Sequence, residues 1–275
     1  MVQVGGSIVL YENDASQVLK TIHSFLSTSL AVKLFLIDNS PTDTLRKLSD
    51  HDERISYFHV GNNLGYGTAH NIAIRQSIAQ GILYHVVLNP DVYFDGSVVE
   101  KLYQYMEESS EVGQVMPLIK YPDESLQYLC KLLPTPLDLI FRRFMPLSKW
   151  KEKRNNIYEL RFSFYDKIMN VPNLSGCFMF LRTSVLNEVG IFDENFFMYL
   201  EDVDLTRRIH QKYQTVFYPR VCIYHAYNKA SYKTMKHLLF HIKSAIYYFS
   251  KWGWFKDVER DSINATCLAQ LKKLS

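Results

Sequence analysis

The sequence predicts an α/β protein built on a mostly parallel sheet flanked by helices. Strands and helices alternate through the first hundred residues. The strand segments are unbroken apolar runs, as strands buried on both faces require. Three of these runs close in polar clusters, at Tyr11-Glu12-Asn13, Asp38-Asn39-Ser40 and Asn89-Pro90-Asp91. In open parallel sheets, ligands bind beyond the carboxyl ends of the strands.

The elements follow in order. "SIVLY" (7–11) is a short β-rich run, and "DASQVLKTIHSFLSTS" sets Val18, Ile22 and Phe25 at helical spacing. "VKLFLIDNS" (32–40) is a buried strand ending in turn residues, "DTLRKLSDH" a short helix, and "ISYFHV" (55–60) a third strand. "GTAHNIAIRQSIAQG" is helical, with Ile74 and Ile78 four apart and Gly81 as its stop. "LYHVVLNPDV" (83–92) is a strand that Pro90 ends, because proline cannot donate to a ladder. Asp91 is left at the tip. The loop "GNNLGYGTAHN" (61–71) lacks the third glycine of the dinucleotide fingerprint, so its glycines serve either a phosphate or a turn.

From 116 to 170 the pattern is irregular, broken by five prolines, and "FRRFMPLSKWKEKR" (141–154) is basic with aromatics interleaved. Residues 226–256 hold six lysines and no acid. Met235, Leu238, Leu239, Ile242, Ile246, Phe249 and Trp252 form one helical stripe there, either core-facing or lying on an anionic membrane surface. Charge is unevenly spread: residues 1–115 carry 7 Lys+Arg against 13 Asp+Glu, and the remaining 160 carry 24 against 15. The second part therefore faces an anionic partner. Nucleic acid is not expected, since no recognisable module accompanies the charge. Four scattered cysteines without a Cys-x-x-Cys pair argue against a zinc site or disulfide framework and fit a reducing compartment. With no export signal or long apolar span apparent, the expected location is cytoplasmic, either soluble or peripheral to a membrane.

The densest chemistry is in "FFMYLEDVDLTRRI" (196–209), where an apolar run meets Glu201, Asp202 and Asp204. A helix beginning near Glu201 accommodates acids in its first turn, and Asp204 can pair with Arg208 at i+4. That leaves Glu201 and Asp202 behind an aromatic wall, where a carboxylate can act as a general base on a hydroxyl. Asp91 and the distant His225 could share a hard divalent cation, with water and substrate phosphates as further ligands.

"IDNSPTD", "NLGYGTAHN", "LNPDV", "SGCFMFLRTSVLNEVGIFDENFFMYLEDVDLTRRI" and "YHAYNKAS" occur in the order and at about the spacing of bacterial family 2 glycosyltransferases. The chain resembles their rhamnosyltransferase-like members, which build O-antigen and other surface polysaccharides, from about residue 5 to 230. "HLLFHIKSAIYYFSKWG" is similar to the tail of those enzymes, more loosely. The resemblance implies a GT-A fold and inversion at the anomeric carbon by single displacement. It implies that Asp38 bonds the donor's base and that Tyr11, Glu12, Asn39, Gly65, Asn71, Asn89 and Gly176 bind the donor. Asp91 and His225 would hold Mg²⁺ or Mn²⁺, and Asp202 would be the base, with Glu201 shaping or orienting the site. Asn89 stands where the family's Asp-x-Asp motif begins with an acid, so the donor diphosphate must supply more of the metal's ligands.

The organisation expected is then a nucleotide-sugar-binding half (1–115), an acceptor-side and catalytic half of the same domain (116–225), and a basic amphipathic helical segment (226–275). The donor implied is dTDP-L-rhamnose, with a UDP-sugar as the alternative. The acceptor is a lipid-diphosphate-linked glycan at the inner face of the cytoplasmic membrane. A sugar-phosphate nucleotidyltransferase would want a basic, Gly-rich loop after the first strand, which "SIVLYENDAS" lacks. A catalytically inactive carbohydrate-binding relative is the remaining alternative.

Overall fold

The computed structural model describes residues 1–141, 148–226 and 235–274. Part of the basic stretch 141–154 and the end of the "YHAYNKAS" motif therefore lie outside the described residues.

Strand β1 (Val4–Leu10) sits between β2 (Val32–Asp38) and β4 (Tyr84–Leu88), and β3 (Ile55–His59) flanks β2; all four are parallel. The side chains of β1, β2 and β4 are almost all buried, because helices cover both faces, whereas β3 at the sheet edge buries only Ile55. Helix α1 (Ala15–Leu26) begins at Asp14, whose carboxylate accepts the N–H groups of Ser16 and Gln17. It buries Val18, Ile22 and Phe25, and α2 (Tyr66–Ala79) buries Ala69, Ala73 and Ile74. Arg46–His51 is a single short 3₁₀ helix.

Beyond β4 the order continues through β10 (Phe178–Arg182), β6 (Val112–Lys120) and β11 (Gln214–His225) to β5 (Val92–Tyr93), with β8 (Met169–Asn170) paired to β11. β10 is antiparallel to both of its neighbours, while β6 and β11 form the longest parallel ladder. A small second sheet pairs β7 (Cys130–Lys131) with β9 (Asn173–Leu174). The remaining helices are α3 (Ser97–Glu108), α4 (Ser148–Tyr158), α5 (Thr183–Val189), α6 (Glu201–His210), α7 (Met235–Trp252) and α8 (Val258–Leu274).

The carboxy-terminal helices are locked onto α6. Arg207, almost wholly buried, makes a double contact with Asp257 at 2.8 Å, reaches Glu259 at 2.9 Å and lies over the Trp252 ring at 4.1 Å. Asp204 pairs with Arg208 at 2.9 Å, as the i+4 spacing predicts, and also binds Lys251 and the Trp252 indole N–H. The inward face of α7 is Ser244, Ala245, Tyr248 and Phe249. That face is rotated from the predicted stripe, because these polar anchors on α6 set the helix's orientation. Met235, Leu239 and Ile246 are left exposed.

Candidate active site

The ends of β1 and β2 lie side by side, with Leu10 in register with Asp38. Asp38 is wholly buried; its carboxylate accepts the Ser40 N–H at 2.8 Å and the Tyr57 hydroxyl. Burial, then the Asp38 partnership, raises the Tyr57 pKa. Asn39 donates to the Gly65 carbonyl at 3.2 Å, while its own side-chain oxygen is buried with no partner among the described residues. Tyr11 and Glu12 are exposed beside it, and the Glu12 N–H donates to Ser40 Oγ at 2.8 Å. Gly65 has φ +86°, and a Cβ there would meet the Phe197 carbonyl oxygen at 2.1 Å. Glycine is obligatory where the start of α2 abuts the aromatic segment.

At the end of β4, Asp91 Oδ1 lies 3.2 Å from His225 Nε2, delivered by the end of β11. Gln127 grips His225 at both ends, its oxygen 3.1 Å from Nδ1 and its amide donating 2.8 Å to the backbone carbonyl. An Nδ1–H given to Gln127 turns Nε2 toward Asp91 and toward Asn89 Nδ2, 3.3 Å away. Burial opposes a charge on His225, yet Cys177 and Asp91 together raise its pKa to about 10. Asp91 Oδ1 is buried without a hydrogen bond among the described residues. A carboxylate oxygen that meets only an oriented imidazole is a donor pair of the kind that suits a divalent cation. No group of three such ligands stands ready among the described residues, so a cation held here would need substrate oxygens and water to complete its shell.

The acidic turn lies across from this. Tyr199 and Leu200 both take left-handed φ, 72° and 69°, before α6 begins. Asp202 Oδ2 accepts the Gly176 N–H at 2.7 Å, and Oδ1 accepts the Val203 N–H at 2.9 Å. Glu201 is buried, and its Oε2 has no partner among the described residues. Burial, then the neighbouring Asp202 charge, pushes Glu201 well above the usual carboxylate range. Burial also raises Asp202, but the two N–H groups and the Lys131 ammonium work against it. Of the pair, Glu201 is pushed furthest toward its protonated form, while Asp202 has the N–H groups that hold a carboxylate.

One side chain joins the two halves. The Tyr66 hydroxyl is 3.0 Å from Asn89 Oδ1 and 2.7 Å from the Gly176 carbonyl oxygen. Its pKa is driven well up by burial and then by Cys177, Glu201, Asp202 and Asp91 together. Tyr66 and the Gly176 peptide thus tie the Asp91 turn to the acidic turn, although Asp91 lines a cavity of about 260 Å³ with Gln17, Lys20 and Thr21 and Asp202 lines a different one. A cavity of about 710 Å³ opens from Glu201 and Asp202 toward Lys131, Lys151, Asn155 and His241.

Asn71 stands apart. Wholly buried, it donates to the Phe192 carbonyl and Glu194 and accepts the Phe192 N–H, tying α2 to the loop before α6. Sequence reasoning missed Tyr66, Gln127 and Lys131. Nothing in spacing marks Tyr66, and the other two lie in the proline-broken stretch.

A mostly parallel sheet flanked by helices, with polar turns at its strand ends and an acidic turn at the start of α6, is the arrangement of a GT-A glycosyltransferase. The description "Glycosyl transferase family 2" matches residues 8–190, and the chain belongs to that family. It is 27% identical over 252 residues to the N-acetylglucosaminyl-diphospho-decaprenol L-rhamnosyltransferase of Mycobacterium tuberculosis, covering 84% of this chain and 79% of that one. It is 24% identical to rhamnosyltransferase WbbL of Escherichia coli K12 over 89% of this chain and 92% of that protein. Among solved structures it is similar to GalNAc-T7 with UDP, GalNAc and Mn²⁺, at TM-score 0.62 and 14% identity. The match covers 82% of this chain but 43% of that one. The S. aureus TarS 1–349 complex with UDP matches at TM-score 0.59 and 13% identity, over 97% of this chain and 71% of that one. No helix among the described residues is long and apolar enough to cross a membrane.

Proposed function

We propose that the protein transfers a sugar, with inversion, from a nucleotide-activated donor to a hydroxyl of a lipid-diphosphate-linked glycan. The donor is dTDP-L-rhamnose, in keeping with the rhamnosyltransferases among its relatives; a UDP-sugar is the alternative. The observation that supports this reading is the Tyr66 hydroxyl bonded to both Asn89 and Gly176, which ties the turn carrying Asp91 to the peptide that holds Asp202.

The donor's base lies against the ends of β1 and β2, where the orphaned Asn39 oxygen accepts a donor N–H or O–H. Asp91 and His225 hold Mg²⁺ or Mn²⁺, which would offset charge growing on the leaving diphosphate. Asp202 takes the proton of the acceptor hydroxyl from about 3 Å, on the face opposite the leaving group. Gly176 and Val203 fix the carboxylate's orientation, and burial keeps it basic enough to accept. The exposed Met235 and Leu239, with Lys236 between them, rest against the anionic inner face of the cytoplasmic membrane, where such an acceptor resides.

The test is a panel of nucleotide sugars with a short-chain lipid-diphosphate N-acetylglucosamine, read by mass spectrometry. A product one deoxyhexose heavier, made with dTDP-L-rhamnose and absent with Asp202→Asn, is expected. Titration with dTDP and UDP separates the donors, and failure of both to bind overturns the reading.

A further inference from the structure

We propose that Ser7 and His70 are positioning residues for the transfer site: a buried hydrogen-bonded chain that includes them fixes where α2 sits on the sheet, and through α2 the Tyr66 hydroxyl. The inference rests on the reading of Asp202 as the base and names what holds its surroundings in place.

Four polar side chains, all wholly buried, form this chain between the sheet and α2. Ser77, near the end of α2, has its Oγ 2.7 Å from His85 Nδ1 on β4. His85 Nε2 is 2.8 Å from Ser7 Oγ on β1, and Ser7 Oγ is 2.7 Å from His70 Nδ1, back on α2. The helix is thus bonded to β1 and β4 at two points seven residues apart, about 10 Å along its axis. The approach is close. A Cβ on Gly5 would stand 2.4 Å from Ser77 Oγ and 3.3 Å from His85 Nδ1, so α2 lies directly against the backbone of β1.

Burial keeps both imidazoles neutral: it lowers His85 to about 3, and it holds His70 well below the usual range, with His85 adding to the effect. A neutral imidazole has one N–H and one lone pair, so both ring nitrogens of His85 are satisfied, one giving and one taking. His70 does not come out even, because its Nε2 has no partner among the described residues. An apolar residue at 70 would carry no such cost, so packing does not account for a histidine there; holding Ser7 does.

The chain ends beside the chemistry. The His70 ring lies edge-on to the Tyr66 ring with centroids 4.4 Å apart, and Phe192 packs on both. Tyr66 is the first residue of α2, so its hydroxyl moves with the helix. That hydroxyl meets Asn89 and the Gly176 carbonyl, and the N–H of Gly176 holds Asp202.

Two variants open the chain from opposite sides. Ser7→Ala removes the bridging hydroxyl on β1 without touching α2, and His70→Leu removes the bond from the helix while Ser7 keeps His85. Each should lower kcat by about threefold to tenfold, the cost of a shift near half an ångström, with donor KM and nucleotide affinity within about twofold of wild type. In a Tyr66→Phe background the same substitutions should cost less than about twofold, because the hydroxyl they position is gone. A merely structural role would lower the melting temperature and leave the losses multiplicative. Losses undiminished in the Tyr66→Phe background, or wild-type kcat in His70→Leu, would overturn the proposal; His70→Leu decides the matter if Ser7→Ala does not fold.

A readout independent of transfer is the crystal structure of His70→Leu. A Tyr66 hydroxyl displaced by about half an ångström from its Gly176 partner supports the positioning role; an unmoved hydroxyl rejects it. Absence of transfer with every donor counts against the proposed reaction, whereas this structure judges the positioning separately.

Discussion

Replacing Gly176 by alanine tests the geometry of the base most directly. A Cβ at Gly176 would stand 2.9 Å from Asp202 Cβ, 3.1 Å from Oδ2 and 3.3 Å from Cγ. Ordinary contact begins at 3.4 Å, so the closest approach is 0.5 Å too short. Gly176 does not occupy the left-handed region, so alanine brings no backbone strain and the whole effect falls on Asp202. Asp202 cannot withdraw freely, because the α6 backbone beneath it is pinned by Val203 and Leu205 in the core. A carboxylate pushed aside by about half an ångström loses roughly tenfold in rate, if a full ångström costs about a hundredfold.

The weakened Gly176 N–H bond adds to that, so kcat should fall between about tenfold and a hundredfold. Donor KM and nucleotide affinity should stay near wild type, since the strand ends and the Asp91 turn are untouched. The assay is steady-state transfer with saturating donor, paired with nucleotide titration and thermal melting. Gly81→Ala is the control: φ there is +68° and nothing lies within 4 Å, so it costs about 1 kcal/mol of stability. Its kcat should not change. A Gly176→Ala enzyme within twofold of wild-type kcat would refute the claim that Gly176 positions the base.

Asp202→Asn should cost about a hundredfold to ten-thousandfold in kcat, the usual worth of a general base. Glu201→Gln should cost little activity, because the wild-type carboxyl is already protonated. It should also raise the melting temperature at neutral pH, since the unfolded chain ionises Glu201 and the folded one does not. Equal losses from both changes would reverse the assignment. The kcat/KM profile should show an acid limb above the ordinary aspartate range: burial raises Asp202, the base works only when ionised, and activity falls as pH drops through that raised value. A limb at or below about 4, the unperturbed aspartate value, would contradict this. Tyr66→Phe should lower kcat about tenfold with a smaller change in donor KM, since the one hydroxyl hydrogen shared by Asn89 Oδ1 and the Gly176 carbonyl is lost. Arg207→Met strands Asp257 in the interior and should cost about 3–5 kcal/mol, seen calorimetrically as a melting point lower by roughly 10 °C.

The sheet was legible because its central strands β2 and β4 are mostly apolar, and a strand buried on both faces can hardly be written otherwise. The start of α6 was legible from the acids in its first turn, although Leu200 caps it in a left-handed conformation without any side-chain bond. The orientation of α7 was not. Periodicity marks which side chains would gain from burial, and it cannot say which face finds a partner. Here Asp204 draws in Lys251 and Trp252, Ser244 donates to the Met198 carbonyl, and the apolar residues one face away stay exposed.

The three clustered carboxylates show the same limit most sharply. In sequence the i+4 spacing to Arg208 sets Asp204 apart, but nothing in spacing or charge ranks Glu201 against Asp202. Each meets a different fate. Asp204 is neutralised by Arg208 and by Lys251, 47 positions on; Glu201 is enclosed where no donor reaches Oε2 and so takes up a proton; Asp202 receives the Gly176 N–H, 26 positions back. Only the last keeps both its charge and a face toward the cavity. A base in such a site is therefore specified by the groups that remove charge from its neighbours as much as by its own carboxylate. Lys251 is exposed to that reasoning: Lys251→Met should perturb Asp204 and Asp193 first, loosening α7 and lowering the melting temperature while the pH profile of Asp202 stays where it was. A shifted acid limb in that variant would mean that Asp204 is coupled to the base after all.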